Sequence, residues 1–272
     1  MIPGVDVSSY QGSPGDWVSA AGDFDFAGVK FSELQPGGVR YVNPDAGADW
    51  QWLAAHGKAR VAYCFGHPSA GPDETVALFL GEVMAAGLGD GDMIALDHET
   101  TDGLPPGDVA AWGVAVLTAL HRDAGRHPLL YTYPDFAAEG NCDGMGGWPL
   151  WIAAPSDPPG HPQVPAPWTG WAIQQTNISG AIDRDVANYP SAGDMARALG
   201  KRDDVTRVRD WTTDGKLSLA QAAAKFDTAA SSILRRTVIR DGLFSPGLAE
   251  YIDGADLTLP MPAGIRLRVP DR

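Results

Sequence analysis

The sequence predicts an α/β fold: an irregular (β/α)8-type barrel followed by a small α+β domain. Short apolar runs alternate with helix-period segments along the first part of the chain, the pattern of parallel strands joined by crossover helices. Eight strand candidates fall within residues 2–186, enough to close a barrel. Charge then changes near residue 200. Residues 1–200 carry 24 Asp+Glu against 8 Lys+Arg, whereas residues 201–272 carry 10 against 12, so −16 and +2 sum to the net −14. The polar stretch Gly200-Lys201-Arg202-Asp203-Asp204 reads as part of a linker. The expected organisation is a barrel over 1–198, a linker over 199–206 and a small domain over 207–272.

Each element follows from local pattern. Residues 2–9 (IPGVDVSS) form the first strand, which brings Asp6 and two serines to its end before Gln11-Gly12 breaks it. Asp16-Trp17 begins a helical turn. Residues 26–33 (FAGVKFSE) make a second strand that finishes on Glu33. Residues 44–57 read as a helix, with Trp50, Leu53 and Ala54 at helical spacing and Gly57 as its C-cap. The third strand, 60–65 (RVAYCF), carries Tyr63 and Phe65. Pro72-Asp73-Glu74 opens a helix to about Gly87, with Val76, Phe79, Leu80 and Val83 on one stripe.

Residues 93–97 are the fourth strand, and Pro105-Pro106-Gly107-Asp108 starts the longest helix, through Trp112, Val116 and Leu120 to Gly125. Strands five to eight fall at 129–133, 149–153, 170–176 and 181–186, with little helix between the last of them. In the tail, 208–212 and 265–270 read as strands. Between them, 218–226 and a segment capped by Thr228 read as helices, giving strand, helix, helix, strand.

The chemistry centres on Asp97-His98-Glu99. Side chains alternate along a strand, so Asp97 and Glu99 share a face, roughly 6–7 Å apart, and His98 points into the helix layer as a structural histidine. Paired carboxyls at the end of a hydrophobic strand suit glycosidic hydrolysis, in which one donates a proton and the other stabilises or activates. A bare D-x-E also fits two solvated acids or a metal pair. No His or Cys stands at ligand spacing nearby, and the six histidines form no ligand pattern, so no metal or cofactor is expected. In barrels of this class, chemistry sits at the C-terminal strand ends. There Asp6, Glu33, Asp97, Glu99 and Asp183 or Asp185 converge, which is costly without a task. Tyr63, Phe65, Tyr131, Trp151 and Trp171 are candidates for a sugar-stacking wall or for core, and Gln174 is a candidate hydrogen-bonding groove residue.

Bulk properties exclude several classes. An acidic body argues against nucleic acid as a partner. No apolar run approaches the roughly 20 residues of a membrane span, so no membrane insertion is expected. The opening Met-Ile-Pro-Gly has neither a basic region nor an apolar signal core, so any action outside a cell is expected to need another route of release. Cys64 and Cys142 are expected to be free thiols, and the protein to be a monomer.

The stretches GVDVSSYQG, VKFSE, AYCF, ALDHE, LLYT, LWIA and IDRDVAN stand in an order that resembles family-25 glycoside hydrolases, the Chalaropsis-type lysozymes common among phage endolysins. The resemblance covers about residues 2–190. It implies N-acetylmuramidase activity on bacterial peptidoglycan. Glu99 is then the proton donor, Asp97 its ionised orienting partner, and Asp6 and Asp183 supporting acids; Glu33 is expected to bind substrate or sit on the rim rather than catalyse. Asp185 stands at the Asn-like position of the closing segment, which leaves Asp183 and Asp185 as alternatives for the fourth acid. The chain departs from the family at Tyr63-Cys64-Phe65, where Tyr-His-Phe is usual, and at Tyr10-Gln11, where Trp-Gln is usual. The tail is similar to LysM-type wall-binding modules, with a longer stretch between Arg240 and Pro260. The competing readings are a non-catalytic glycan-binding or virion structural protein on the same barrel, and a hydrolase of another acetylated polysaccharide.

Overall fold

The computed structural model describes residues 1–178 and 180–201, Gln221, and the backbone of strands at 208–212 and 266–270. The first unit, Met1–Arg202, contains β1 (Ile2–Val7), α1 (Pro14–Ala21), β2 (Phe26–Gln35), β3 (Val39–Val42), α2 (Ala46–Ala55), β4 (Ala59–Phe65) and α3 (Pro72–Ala85). It continues with β5 (Met93–Asp97), α4 (Pro106–Ala124), β6 (Leu129–Thr132), a short α5 (Pro134–Phe136), β7 (Leu150–Ala153), β8 (Ile173–Asn177), β9 (Asp183–Ala187) and α6 (Ala192–Leu199). The strands run in the order β1-β9-β8-β7-β6-β5-β4-β2, and a β1–β2 pairing closes them into an eight-stranded barrel.

Alternation along the strands builds two cores. Phe26, Val61, Met93, Ala95, Leu129, Trp151 and Ile173 fill the barrel interior. The opposite faces, with Val29, Ala62, Ile94, Leu96, Leu130 and Ile152, pack under Trp50, Phe79, Val116 and Leu120 of the helices. Met195 and Leu199 of α6 join the interior cluster. α6 is capped by Ser191, whose hydroxyl accepts from the Asp194 backbone N–H at 3.1 Å.

Three features differ from the sequence-based expectation. β3 is an additional strand: Pro36 is followed by Gly37 and Gly38, both at φ near +80°, and this reversal pairs β3 antiparallel with β2. β9 starts at Asp183, runs to Ala187, and lies antiparallel to both β8 and β1. Residues 178–182 are too few for the crossover of about a dozen that a parallel partner needs. The helix of α6 was not anticipated in the sequence either.

The second unit spans Asp203–Arg272. Within it β10 (Val208–Thr212) and β11 (Arg266–Pro270) pair antiparallel, with Val208 opposite Pro270 and Thr212 opposite Arg266. The predicted helices at 218–226 and from Thr228 lie outside the described residues, apart from helical Gln221.

The interior is filled close to its limit beside the acidic end. A Cβ added to Gly28 would lie 2.4 Å from Trp151 Cη2 and 3.1 Å from Asp6 Cβ. Gly28→Ala is therefore expected to cost about 1–3 kcal/mol by overpacking, read as a lowered midpoint in urea unfolding.

Candidate active site

Strand periodicity places the acids. Met93 and Ala95 face the barrel interior, so Asp97, two further on, opens into its end, while Ile94 and Leu96 join the outer core. His98 follows them outward. It is fully buried, its Nε2 lies 3.1 Å from the Asn141 carbonyl, and its ring stacks on Trp112. Burial pulls it down to about 4, so it is a neutral packing group. Glu99 returns to the interior side. It shares with Asp97, Asp6 and Asp183 a cleft of about 250 Å³ at the C-terminal strand ends. Tyr63, Phe65, Tyr131 and Trp151 form its aromatic lining, and Ser8, Tyr10, Lys30 and Gln175 complete it.

Lys30 is the cation of this lining, brought there by the alternation that turns Phe26 and Gly28 inward, and a β-bulge follows it. The β2–β4 register pairs Lys30 with Tyr63 but Ser32 with Cys64 and Glu33 with Phe65, so one residue is extra at Phe31. Lys30 and Glu33 therefore come to the same side, and Nζ meets Glu33 Oε2 at 2.8 Å. The ammonium also lies 4.7 Å from the Phe65 ring centroid. Glu33 is half-buried behind the lining. Burial alone would raise its carboxyl, but hydrogen bonds from Lys30 and His67 outweigh that and hold it below the usual range. His67 spans Glu33 and Asp102 at 2.9 Å each, and Asp102 also accepts from the Ser69 N–H and hydroxyl. The segment after Glu99 is thereby tied to the loop after β4.

The electrostatics of the floor are set by burial. Asp97 is pushed well above the usual carboxylate range, first by desolvation and then by Glu99, with Lys30 opposing. Glu99 is raised by burial against the same opposing cation. Both carboxyls thus bind a proton more tightly than a free carboxyl does. Asp97 is the more deeply buried of the two. Asp6 is raised to about 7 by burial and by Asp183, while Gln175 Nε2, donating to its Oδ2 at 2.7 Å, pulls it down. Burial also raises Asp183.

Two sequence candidates lie elsewhere. Gln174 is fully buried outside the cleft, where it accepts from the Gly160 N–H at 2.7 Å and donates to the Ala154 carbonyl at 3.1 Å. Ile173 faces the interior, so alternation brings Gln175 rather than Gln174 to the acids. Gln175 also accepts from the Tyr131 hydroxyl at 2.9 Å. Trp171 precedes β8 and lines a shallow depression at the N-terminal strand ends with Trp148, Trp168 and Tyr189. Between the two closing aspartates, Asp183 lines the cleft. Asp185 is buried beside Trp151, whose Nε1 donates to its Oδ1 at 2.8 Å. Lys30 carried one legible signal, a cation inside an apolar strand. Ser8 and Tyr10 follow Asp6 at the end of the first strand, where the sequence places hydroxyls and the family's Trp-Gln position. Among the described residues no group of His, Cys, Asp and Glu is arranged to hold a metal, and Cys64 and Cys142 are buried free thiols.

An eight-stranded barrel that presents clustered, partly desolvated carboxyls in an aromatic cleft at its C-terminal rim has the build of a glycoside hydrolase. The model of glycosyl hydrolases family 25 matches residues 5–182, more than half of the chain, and the chain belongs to that family. Among solved structures, the lysozyme of Streptomyces coelicolor is similar at 23% identity and TM-score 0.58, over 72% of this chain and 95% of that one. A muramidase from Trichobolus zukalii is similar at 24% identity and TM-score 0.62, over 73% and 100%. The catalytic domain of an endolysin from a bacteriophage of Listeria monocytogenes is similar at 13% identity and TM-score 0.56, over 72% and 97%. These are likenesses of fold. No curated protein sequence matches the chain. Among the described residues, no helix is long and apolar enough to cross a membrane.

The role of Lys30 is testable without substrate. In Lys30→Met, loss of the opposing cation is expected to move the Asp97 and Glu99 titrations to higher pH, observed by carboxyl-carbon NMR.

Proposed function

We propose that this protein is an N-acetylmuramidase that cleaves the β-1,4 bond between N-acetylmuramic acid and N-acetylglucosamine in bacterial peptidoglycan. The observation that carries the reading is the placement of Asp97 and Glu99 together in an aromatic cleft on a family-25 barrel. Glu99 is the less buried of the two and delivers the proton to the glycosidic oxygen as the C–O bond breaks. The pair is then left with two negative charges facing a cationic sugar, with Lys30 limiting the cost of that charge in the cleft. Water supplies the atoms that complete hydrolysis.

Asp183 is the fourth acid of this site, and with Asp6 it lines the side where β1 meets β9. Tyr63, Phe65, Tyr131 and Trp151 offer ring faces and edges to sugars. We assign Glu33 to positioning Lys30, and the tail to a LysM-like wall-binding module, a reading supported by the antiparallel pairing of β10 with β11. Likeness of fold to a phage endolysin domain supports an endolysin role.

Digestion of purified peptidoglycan, followed by mass spectrometry, tests the reading. The wild type is expected to release fragments with new reducing muramic acid ends, and Glu99→Gln to lose at least about a hundredfold in rate. Peptide or amide cleavage products would overturn the reaction. Wall binding with no release would overturn the enzyme.

A further inference from the structure

One buried carboxyl has no part in the mechanism above. Asp185, on β9, is 2% exposed and lies behind the cleft lining. Its Oδ1 accepts from the Trp151 indole N–H at 2.8 Å, while its Oδ2 is buried and has no donor among the described residues. Its carboxyl is within hydrogen-bonding reach of Asp6, itself only 8% exposed. Asp6 Oδ2 takes the Gln175 amide N–H, and Gln175 is oriented by the Tyr131 hydroxyl donating to its Oε1. Donors therefore arrive from both ends, Tyr131 and Gln175 on one side and Trp151 on the other. They meet at two carboxyls that, when ionised, can only accept. Two such anions in contact inside a barrel repel and leave lone pairs unsatisfied, and one proton between them removes both costs.

We propose that Asp6 and Asp185 hold a single proton between them, and that Asp185 is a positioning residue that fixes Asp6 at the floor of the cleft. Every charge that faces the pair argues for the shared proton. Asp183 on β9, Asp97 on β5, and Glu99 beyond it are acidic, and Tyr63 on β4 and Tyr131 on β6 are neutral phenols held that way by burial. Lys30 on β2 acts on Asp97 and Glu99 instead. Loss of the shared proton drives the two carboxyls apart. Gln175 and Trp151, each bonded to one of them, move with them and unmake the cleft wall. The sign follows from Asp6, raised to about 7. A group bound more tightly to its proton in the folded state stabilises at acid pH, and that contribution is lost as pH rises through the folded value.

Asp185→Asn is the discriminating variant. Its amide presents an N–H in place of the shared proton and a carbonyl oxygen to the Trp151 indole, and it does not titrate. It is expected to keep acid-side hydrolysis of peptidoglycan, extend the alkaline limb to higher pH, and flatten the fall in melting midpoint between about pH 5 and pH 8. Asp185→Ala is expected to lose on the order of tenfold to a hundredfold in rate at every pH. If rate and melting profiles of Asp185→Asn superimpose on those of the wild type, no proton is shared. If Asp185→Asn is as damaged as Asp185→Ala, the site needs the charge of Asp185 and the proposal falls. The inference concerns the site of the muramidase reading, but the melting arm requires no substrate. Failure of that reading alone leaves the proton test intact.

Discussion

The acidic end of this barrel is governed by the cost of burying negative charge. Asp6, Asp97, Asp183 and Asp185 all lie on interior strand faces or at their ends, where desolvation pushes carboxyls toward the neutral form. A folded chain tolerates that load in three ways, and each appears here. Trp151 and Gln175 bring N–H donors to two of the acids, Lys30 brings one cation to the other side of the cleft, and raised proton affinities retire part of the charge. The groups that make the burial tolerable are also those a glycosidase uses, since a carboxyl that stays protonated near neutral pH is a proton donor. Stability and chemistry draw on the same protons.

The aromatic residues connect this electrostatic arrangement to packing. Trp151 stands edge-on to both Tyr63 and Tyr131, with ring centroids 6.1 and 5.5 Å away. Its indole N–H anchors Asp185, and its far edge rests over Gly28. One side chain thus closes the barrel interior, forms the cleft wall and gives a buried acid its hydrogen-bond donor.

Much of this was legible in the residues. Asp97, Glu99 and His98 fell on their observed faces because a five-residue apolar run leaves little doubt about the period. The helices of the first half declared their starts through Pro at the first turn, as in α3 and α4. What stayed hidden depends on register. The bulge at Phe31 brings Lys30 and Glu33, three apart and nominally on opposite faces, to one side, and nothing local marks the extra residue. The interior face of β8 exchanges Gln174 for Gln175, since a shift of one inverts every side chain. The antiparallel turn of β9 is set by a short connection that reads as an ordinary strand boundary.

That last strand has a consequence for synthesis. Asp6 and Gln175, bonded to each other, are 169 positions apart, and the pairing of β1 with β9 joins the two ends of the barrel. Contacts of such sequence separation form late, because the intervening chain has to be ordered before they repay its loss of entropy. A ribosome that has made the first six strands has already produced Asp97 and Glu99, yet the floor that holds Asp6 in place is not there. The wall of the cleft that holds Asp6 is therefore assembled from both ends of the barrel sequence and exists only when the barrel is closed.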